Sequence, residues 1–519
     1  MVIKPSEHTE KLRVYLIAPA PDFGSQNLSD DSAVGIREPY AINAAAGIAT
    51  VAAYFKADVD LRLCDEIIED VDFSDPATVI AISANVSQAP GAARIAKRFR
   101  DLGRTIVIGG PHVSLAPEMF ETVADCLVVG EFEPVAAEFM ADLTAGTLKH
   151  RYNGSKADLA SALPPRWDLY TNERALAGVV QTSRGCPFDC NFCDVIQYLG
   201  RVQRHKPPEL VLPEVRALYD LGYRQINLSD DNFTVYRQRS HQLLEALARW
   251  NGAEGREPVD FITQMSLDVA RDPNLLSACN QAGLRTAFVG IETSNPDALK
   301  ESRKRQNLRI DMIEQCEKIV SAGVSVQAGL MVGFDSDDLR CFERQLAFVM
   351  ALPVVNFRLS VLMAPVATPL FDELKAAGRI VVEPSLAPVA GAIGLTNIQP
   401  LQMTRQQLAD GANWLRSELL APKNAIRRFE TYARVLGPRL PHLLPDPKVG
   451  TTSKSRPFLE LLSHMIRDRE TRQVIECVRD LAQGKPMIRA DLMQALGMYL
   501  NSYLRQQEQS RVSATAGIR

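Results

Sequence analysis

The sequence predicts an α/β protein in three parts: a doubly wound parallel sheet, a partial (βα)6 barrel and a mainly helical C-terminal region. Short β-branched runs alternate with helical segments over two long stretches, a pattern typical of parallel sheets covered by helices. After Ile380 the strand signals stop and helical periodicity continues. A group of three cysteines, from Cys186 to Cys193, lies near the start of the second stretch and indicates that this stretch contains the active site.

The composition is that of a globular protein. Of 519 residues, 46% are hydrophobic and 23% are charged, and the length allows about three domains. A net charge of −4 gives no reason to expect a nucleic-acid partner. The N-terminal residues lack the apolar segment of a signal peptide, and the longest apolar run, residues 41–55, is too short to cross a bilayer. We therefore expect a cytoplasmic protein.

Six of the nine cysteines are scattered through apolar, periodic segments: Cys64, Cys126, Cys279, Cys316, Cys341 and Cys477. This distribution is typical of free thiols in a core and not of a disulfide framework.

The first domain is assigned to residues 1–145 and is expected to be flavodoxin-like. Its predicted strands are Arg13–Ala18, Asp60–Cys64, Thr78–Ser83, Thr105–Gly109 and Cys126–Val129, and residues 41–55 are predicted to form a helix. Such sheets bind ligands at the carboxyl ends of their strands. The residues at that edge are Ser83, Asn85, Val86, Ser87, Gly109, Gly110, His112, Gly130 and Glu131. The small side chains among them would let a large flat ligand approach the backbone.

A linker over residues 146–175 leads to the barrel domain, residues 176–380. Six strands are predicted there: Val179–Ser183, Gln225–Ser229, Asp260–Ser266, Thr286–Ile291, Ser325–Val332 and Asn356–Met363. Barrel active sites form at the carboxyl ends of the strands. Polar or glycine-rich residues follow four of these ends, namely Asp230, Asp231 and Asn232, then Gln264 and Ser266, then Glu292, then Gly329 and Met331. Singly, each could be a capping or turn residue; together they favour a ligand site.

The cysteines follow the first barrel strand in the pattern C-x3-C-x2-C, as Cys186, Cys190 and Cys193. Three such thiolates can hold three irons of a [4Fe–4S] cluster and leave the fourth iron open. A zinc site is the alternative, with His205 as the nearest fourth ligand, but structural zinc sites usually pair two C-x2-C knuckles.

The stretch Ser183–Tyr198 resembles the signature of the radical S-adenosylmethionine (SAM) enzymes, including an aromatic residue, Phe192, before the last cysteine. The resemblance implies that the open iron binds the amino and carboxylate groups of SAM, which is then cleaved to a 5′-deoxyadenosyl radical. It also implies a SAM site made by Phe192, Asp230, Asp231, Asn232, Gln264, Ser266, Glu292, Gly329 and Met331.

The first domain resembles the cobalamin-binding domain of B12-dependent radical SAM enzymes, through Gly109-Gly110-Pro111-His112-Val113 and Val129-Gly130-Glu131. The D-x-H-x-x-G motif of many B12 proteins is absent, which leaves open either cobalamin without a His ligand or a domain that has lost cobalamin. His112 itself has an alternative reading as an ordinary loop residue. The whole layout resembles the subgroup that includes bacterial hopanoid methylases, and it departs from that subgroup near Val389–Pro400.

The C-terminal region, residues 381–519, begins with an Ala/Pro/Gly-rich stretch, Pro384–Leu401, expected to be a lid or connection. Helices are predicted at Arg405–Leu420, Ala425–Leu436, Arg456–Asp468, Glu470–Gln483 and Ile488–Gln507. The region has more basic than acidic residues, so contact with a membrane surface is one reading and a solvated helix face the other. Residues 508–519 are expected to be disordered.

These observations predict a cobalamin-dependent radical SAM methyltransferase that uses a [4Fe–4S] cluster, SAM and cobalamin on a small-molecule or lipid substrate. An electron donor such as flavodoxin or ferredoxin is the expected partner. One alternative keeps the class but transfers the aminocarboxypropyl part of SAM, or catalyses a rearrangement, with the B12 domain as scaffold. The other is a B12 or redox sensor.

Overall fold

The computed structural model describes residues 11–21, 40–381, 396–445, 465 and 468–516, with side chains described to residue 507. The described residues divide into two compact units. The first contains residues 11–21 and 44–174, and the second contains residues 40–43 and those from 175 onward.

The strands are numbered along the chain as β1 (Arg13–Ala18), β2 (Ala41–Asn43), β3 (Asp60–Asp65), β4 (Val79–Ser83), β5 (Thr105–Gly109), β6 (Cys126–Gly130), β7 (Arg151–Gly154), β8 (Ala175–Val180), β9 (Ser183–Arg184), β10 (Arg204–His205), β11 (Gln225–Leu228), β12 (Asp260–Met265), β13 (Leu284–Glu292), β14 (Ser325–Val332) and β15 (Phe357–Val361).

The helices of the described residues are α1 (Ala46–Ala52), α2 (Ala89–Asp101), α3 (Pro111–Leu115), α4 (Ala136–Ala145), α5 (Val195–Tyr198), α6 (Pro208–Asp220), α7 (Arg237–Trp250), α8 (Pro273–Ala282), α9 (Pro296–Glu301), α10 (Met312–Ser321), α11 (Cys341–Ala351), α12 (Pro369–Ala376), α13 (Arg405–Leu420), α14 (Pro422–Val435), α15 (Arg469–Ala482) and α16 (Pro486–Ala516).

The first unit is built on a parallel sheet of order β3-β1-β4-β5-β6-β7. Its first five strands have the flavodoxin-like order 2-1-3-4-5, which confirms the predicted fold. Alternate strand residues such as Ile80 and Ile108 pack with Phe99 of α2 in one buried core. The sixth strand, β7, lies in the segment predicted as linker. It was missed because it is short and polar, although Tyr152 on it is buried against Phe139.

The second unit contains a seven-stranded parallel sheet of order β15-β14-β13-β12-β11-β8-β2, the sheet of a half-barrel. The six predicted strands are confirmed, and β2 adds a seventh. The prediction of one helix over residues 41–55 was therefore wrong at its start, because Ala41 and Asn43 pair with Ala175 and Ala177 of β8 and the helix begins only at Ala46. Strand pairing outweighs the helix propensity of alanine at this edge.

The two faces of this sheet differ in burial. On β14, Val326, Ala328, Leu330 and Val332 are buried against the outer helices. The alternating residues face the inside of the half-barrel, here called the lumen. Gln327 and Met331 on that face are only partly buried.

Helix α16 packs at the amino end of the lumen. Its residues Asp491, Gln494 and Met498 line a small cavity with Gln327 and with other residues at the starts of the strands, and the Asn356 side chain donates a hydrogen bond to the Ala495 carbonyl at 3.2 Å. The helix therefore forms the floor of the lumen.

A buried ion network fastens the C-terminal helices to the barrel. Arg439 donates to both carboxylate oxygens of Asp260 at 2.6 and 2.8 Å and to both of Asp491 at 2.8 Å. Arg285 joins through Asp491 at 3.4 Å, and the side chains of Arg285, Arg439 and Asp491 are at most 2% exposed. Arg439 of the C-terminal region therefore binds the barrel and is not part of a solvated face.

Other C-terminal expectations fall partly outside the described residues. The predicted helix Arg456–Asp468 and most of the stretch Pro384–Leu401 lie there. The predicted disorder from residue 508 was wrong for the backbone of α16, which is helical to Ala516.

All nine cysteines are free thiols, and the six scattered ones are buried or half-buried, as predicted. Among the residues described, no helix combines the length and the apolar character needed to cross a bilayer.

Candidate active site

The cysteine loop begins where β8 ends, and Asp230 fixes that point. Its carboxylate accepts hydrogen bonds from the backbone N–H groups of Thr182 and Ser183 at 2.9 and 2.7 Å, and also from the Thr182 hydroxyl. Arg239 lies 3.5 Å from it, and the Asp230 side chain is fully buried. Both carboxylate oxygens are thus engaged within the protein, so Asp230 holds the strand end that carries the loop.

The hairpin β9–β10 folds residues 200–206 back over the cysteines. The Cys186 N–H donates to the Gly200 carbonyl at 3.3 Å. Gly185 has φ of 95°, and a Cβ there would lie 2.8 Å from the Val202 carbonyl oxygen, so only glycine suits this position. In the basic run after the loop, Lys206 is buried in an ion pair with Glu214 at 2.6 Å.

The far side of the loop is held by the segment that follows α9. The Asn191 N–H donates to the Ser302 carbonyl at 3.2 Å, and its side chain donates to the Glu301 carbonyl at 3.0 Å. The Gln306 amide lies 3.8 Å from the Cys190 sulfur as a hydrogen-bond donor. Residues 301–306 therefore brace the loop between Cys190 and Cys193, which the sequence pattern did not reveal.

Lys304, in the same segment, is a buried cation beside the thiols. Its ammonium lies 2.8 Å from the Glu292 carboxylate, and both side chains are about one-tenth exposed or less. Burial opposes its charge, but Glu292 and the neighbouring Cys190 and Cys193 raise the pKa of Lys304 overall. The same ammonium counteracts the rise that burial causes in the pKa of Cys186. One positive charge thus acts on all three cysteines.

The thiols are largely shielded from water, and burial raises the pKa of Cys193 to about 12. Among the described residues, no three His, Cys, Asp or Glu side chains are arranged to hold one metal ion. A zinc site needs its ligands around a single ion, whereas a [4Fe–4S] cluster spreads its cysteines over different irons. Three thiols on one loop with an adjacent cation therefore fit the cluster better than zinc.

Asp231 and Asn232 lie at the end of β11, beside the loop. Asp231 accepts a hydrogen bond from the Gly185 N–H at 2.8 Å. Its pKa is raised to about 6, mainly by burial and also by Asp230, although the Gly185 hydrogen bond lowers it. The Asn232 amide donates to the Ser266 hydroxyl at 3.1 Å, and its buried carbonyl oxygen has no hydrogen-bond partner among the described residues.

The remaining predicted SAM residues lie on the next strands. Gln264 is exposed, and Glu292 has φ of 66° and pairs with Lys304. A Cβ on Gly329 would lie 2.7 Å from the Phe288 ring, so glycine makes room for that ring. Phe192 and Met331 pack against one hydrophobic cluster, which contains Phe334 and Leu362. The fold thus brings Phe192 of the cysteine loop together with the end of β14.

In the first unit, the switch in strand order between β1 and β4 creates the crevice where such sheets bind ligands. Asn85, Val86 and Ser87 form the loop after β4. The Asn85 side chain accepts from the N–H groups of Ser87 and Gln88 at 3.0 and 3.2 Å, and Gln88 donates to the Pro19 carbonyl at 2.6 Å. This loop is rigidly capped while Asn85 stays exposed.

The other predicted cobalamin residues of this unit lie near the same edge, where they end strands or bond to the backbone. Ser83 and Gly109 end β4 and β5, and Gly110 has φ of 103°. Ser114, which was not predicted, accepts from the Gly130 N–H at 2.9 Å, and Glu131 accepts from the Ala157 N–H at 3.1 Å.

His112 is 2% exposed and packs edge-on against Phe120, a core residue. Its ring therefore lies in the interior of the unit and not on the open edge. An edge of small residues without an exposed His fits a cobalamin held without a histidine ligand.

Comparisons with known proteins agree with this geometry. Residues 180–349 match the family model of the radical SAM superfamily, and residues 34–140 match that of the B12 binding domain. An uncharacterized methyltransferase of Synechocystis sp. is 31% identical over 347 residues, covering 65% of this chain and 64% of the relative. The hopanoid C-2 methylase of Rhodopseudomonas palustris is 29% identical over 343 residues, covering 64% and 65%. The chain thus matches slightly less than two thirds of the length of these curated relatives.

Among solved structures, the radical SAM methyltransferase TsrM of Kitasatospora setae, with cobalamin and a [4Fe–4S] cluster bound, aligns with a TM-score of 0.58. The alignment covers 98% of this chain and 100% of that chain at 14% identity, so it shows a shared fold. With the cysteine loop at the end of a half-barrel strand and a flavodoxin-like domain before it, the chain contains a B12 binding domain followed by a radical SAM domain, and over these domains it is similar to a bacterial hopanoid methylase.

Proposed function

We propose that the protein is a cobalamin-dependent radical SAM methyltransferase that acts on an unactivated carbon of a small molecule or lipid. The observation that carries this proposal is the braced cysteine loop at the carboxyl end of the half-barrel, in a chain that also carries the B12 fold. The substrate class follows the relatives, one of which is a methylase of hopanoids.

Cys186, Cys190 and Cys193 would hold the cluster and leave one iron for SAM. When bound, the cluster supplies the electron that cleaves SAM to a 5′-deoxyadenosyl radical, and cobalamin carries the methyl group. The protein's own contribution is to position and shield. Asp230 and Asn191 fix the two sides of the loop, and the burial of the thiols excludes water from it.

Of the proposed SAM-site residues, some would contact SAM and the others would hold the site in place. Asp231 is a buried carboxyl that accepts the Gly185 N–H, and its charge suits the ammonium or sulfonium of SAM. The free carbonyl oxygen of Asn232 and the exposed Gln264 add acceptors, with Ser266 orienting Asn232. Phe192, Gly329 and Met331 would contact the adenosine. Asp230 and Glu292 support the site, because their carboxylates are already engaged.

Cobalamin is proposed to lie over the edge that contains Ser83, Asn85, Val86, Ser87, Gly109, Gly110, Gly130 and Glu131, with His112 supporting from beneath. An electron donor such as flavodoxin or ferredoxin would reduce the cluster, and the oxygen-sensitive centre suits a reducing cytoplasm.

The product pattern tests this function. Anaerobically reconstituted protein, supplied with cobalamin, reductant and SAM labelled with ¹³C in its methyl group, is expected to form 5′-deoxyadenosine and S-adenosylhomocysteine. The ¹³C label should pass to the cobalamin fraction. Methylthioadenosine as the main product would instead indicate aminocarboxypropyl transfer. Cobalamin binding without any SAM consumption would indicate a sensor.

Removing the charge of Lys304 should make the cluster harder to reduce, because the reduced cluster carries one more negative charge beside it. For Lys304→Met we expect the cluster's midpoint potential to fall by about 59 mV. For a one-electron couple this lowers the ratio of reduced to oxidised cluster about tenfold at a given solution potential. The measurement is a redox titration followed by electron paramagnetic resonance.

Lys300→Met is the matched control, since Lys300 lies on α9 with its side chain 64% exposed. The double variant Glu292→Gln with Lys304→Met avoids an unpaired buried carboxylate and should also have a lower potential. Equal potentials in all four proteins would show that Lys304 has only a structural role.

A further inference from the structure

The register of the half-barrel sheet arranges the lumen in successive rows. Residues that pair in register on parallel strands point to the same face. Phe288 pairs with Gln327, and the next row upward pairs Gly290 with Gly329 and Gly329 with Arg358. The row above contains Met331 and Ser360. Arg358 therefore belongs to the lumen face of β15.

This row lies between the floor and the roof of the lumen. Directly below it, Gln327 and Asn356 contact the floor helix α16. Directly above it, Met331 packs against the same hydrophobic cluster as Phe192 of the cysteine loop. Arg358 is thus at the depth between the barrel floor and the proposed cluster, where a substrate must lie to meet the SAM-derived radical.

On β13 and β14 the row of Arg358 carries no side chain of its own. Its two other positions are glycines, and the room over them is shared with neighbouring groups: the Phe288 ring lies over Gly329, and the Lys304–Glu292 pair lies over Gly290. Arg358 lies on the next strand, β15, and its neighbour in the row, Gly329, has no side chain.

Arg358 is exposed, and among the described residues its guanidinium has no hydrogen bond, ion pair or ring contact. The neighbouring acid, Glu292, is already neutralised by Lys304. Arg344 and Arg379, by contrast, are paired with Asp338 and Asp335. A guanidinium offers a planar set of donors that matches a carboxylate or phosphate in two-point geometry.

We propose that Arg358 is the anion-binding residue of the lumen and that it takes a carboxylate or phosphate group of the ligand bound beneath the cluster. Resting on the proposed function, this names the substrate class: an acid or phosphate ester, held by its charged end so that an unactivated carbon faces the radical. The same chemistry is present in the carboxylate of SAM, and the experiment separates the two sources.

The experiment measures binding and requires no methyl transfer. Reconstituted wild-type protein, Arg358→Met and Arg358→Lys are titrated calorimetrically with SAM and with decarboxylated SAM. Each protein, saturated with SAM, is then titrated with inorganic phosphate and with acetate. Arg249→Met is the control, because Arg249 is 73% exposed on the outer helix α7.

If the anion belongs to the substrate, Arg358→Met should keep the wild-type affinity for SAM and lose a phosphate or acetate site, with affinity falling about ten- to hundredfold. If it belongs to SAM, Arg358→Met should bind SAM as weakly as wild type binds decarboxylated SAM. In both cases Arg358→Lys should retain part of the affinity and Arg249→Met all of it.

Unchanged SAM affinity together with unchanged phosphate and acetate binding in Arg358→Met would overturn the proposal. Because neither titration depends on turnover, that result would leave the methyltransferase assignment intact. Conversely, Arg358-dependent anion binding in a protein that never cleaves SAM would uphold the site and refute the proposed reaction.

Discussion

Replacing any one of Cys186, Cys190 and Cys193 by Ala is expected to abolish the cluster's visible absorption and to reduce SAM cleavage to the protein-free background. Each thiolate would hold one iron, so its loss would open a second iron to solvent and destabilise the cluster. No other cysteine can substitute, because the remaining six are dispersed over other helices and strands. Iron and sulfide content, absorption and 5′-deoxyadenosine formation are the measurements.

Cys477→Ala is the matched control. Cys477 is half-buried on α15 and should be replaceable without loss of iron. Full iron content and SAM cleavage in a single cysteine variant of the loop would contradict the ligand assignment, whichever residue was replaced.

Arg439→Met should destabilise the second unit by about 3–5 kcal/mol, because it leaves the buried carboxylates of Asp260 and Asp491 without their main partner. A chain with two compact units need not unfold in one step, so the thermal midpoint and the rate of limited proteolysis are the appropriate measures. Both should show the barrel unit losing stability by several degrees.

Arg434→Met provides the comparison, since Arg434 is exposed on α14 and, within the described part of the chain, its side chain bonds to Thr431 one helical turn earlier. The double variant Arg439→Met with Asp491→Asn should recover part of the loss, because one of the stranded charges is removed. A midpoint equal to that of Arg434→Met would mean that the network contributes no net stability.

The sequence predicted those features that local pattern controls. Alternating strands and helices indicated both sheets, and the cysteine spacing indicated the cluster loop. Strands β2 and β7 were missed because three or four edge residues carry too little periodicity. The pairing partner of β2 is also more than a hundred residues away. Neither strand contains the β-branched run by which the others were recognised.

The chemistry around the loop was predicted less completely. Asp230 looked like a SAM ligand because it follows a barrel strand, but its oxygens accept hydrogen bonds from Thr182 and Ser183, 48 and 47 residues earlier. Lys304 and Arg358 gave no sequence signal, because single basic residues are common on protein surfaces. Only the fold shows that Lys304 pairs with Glu292 and that Arg358 lies on the lumen face of β15.

The floor helix has a consequence for how the enzyme is made. Asp491 meets Arg285 across 206 residues of chain, so the lumen cannot be closed from below until α16 has left the ribosome. The first unit can fold earlier during synthesis, while the half-barrel waits with Arg285 and Asp260 unpaired. A ribosome that stops near residue 485 would release a chain with its cysteine loop complete but its barrel open at the base. Quality control of the protein would then act on α16, at the opposite end of the barrel from the cysteine loop.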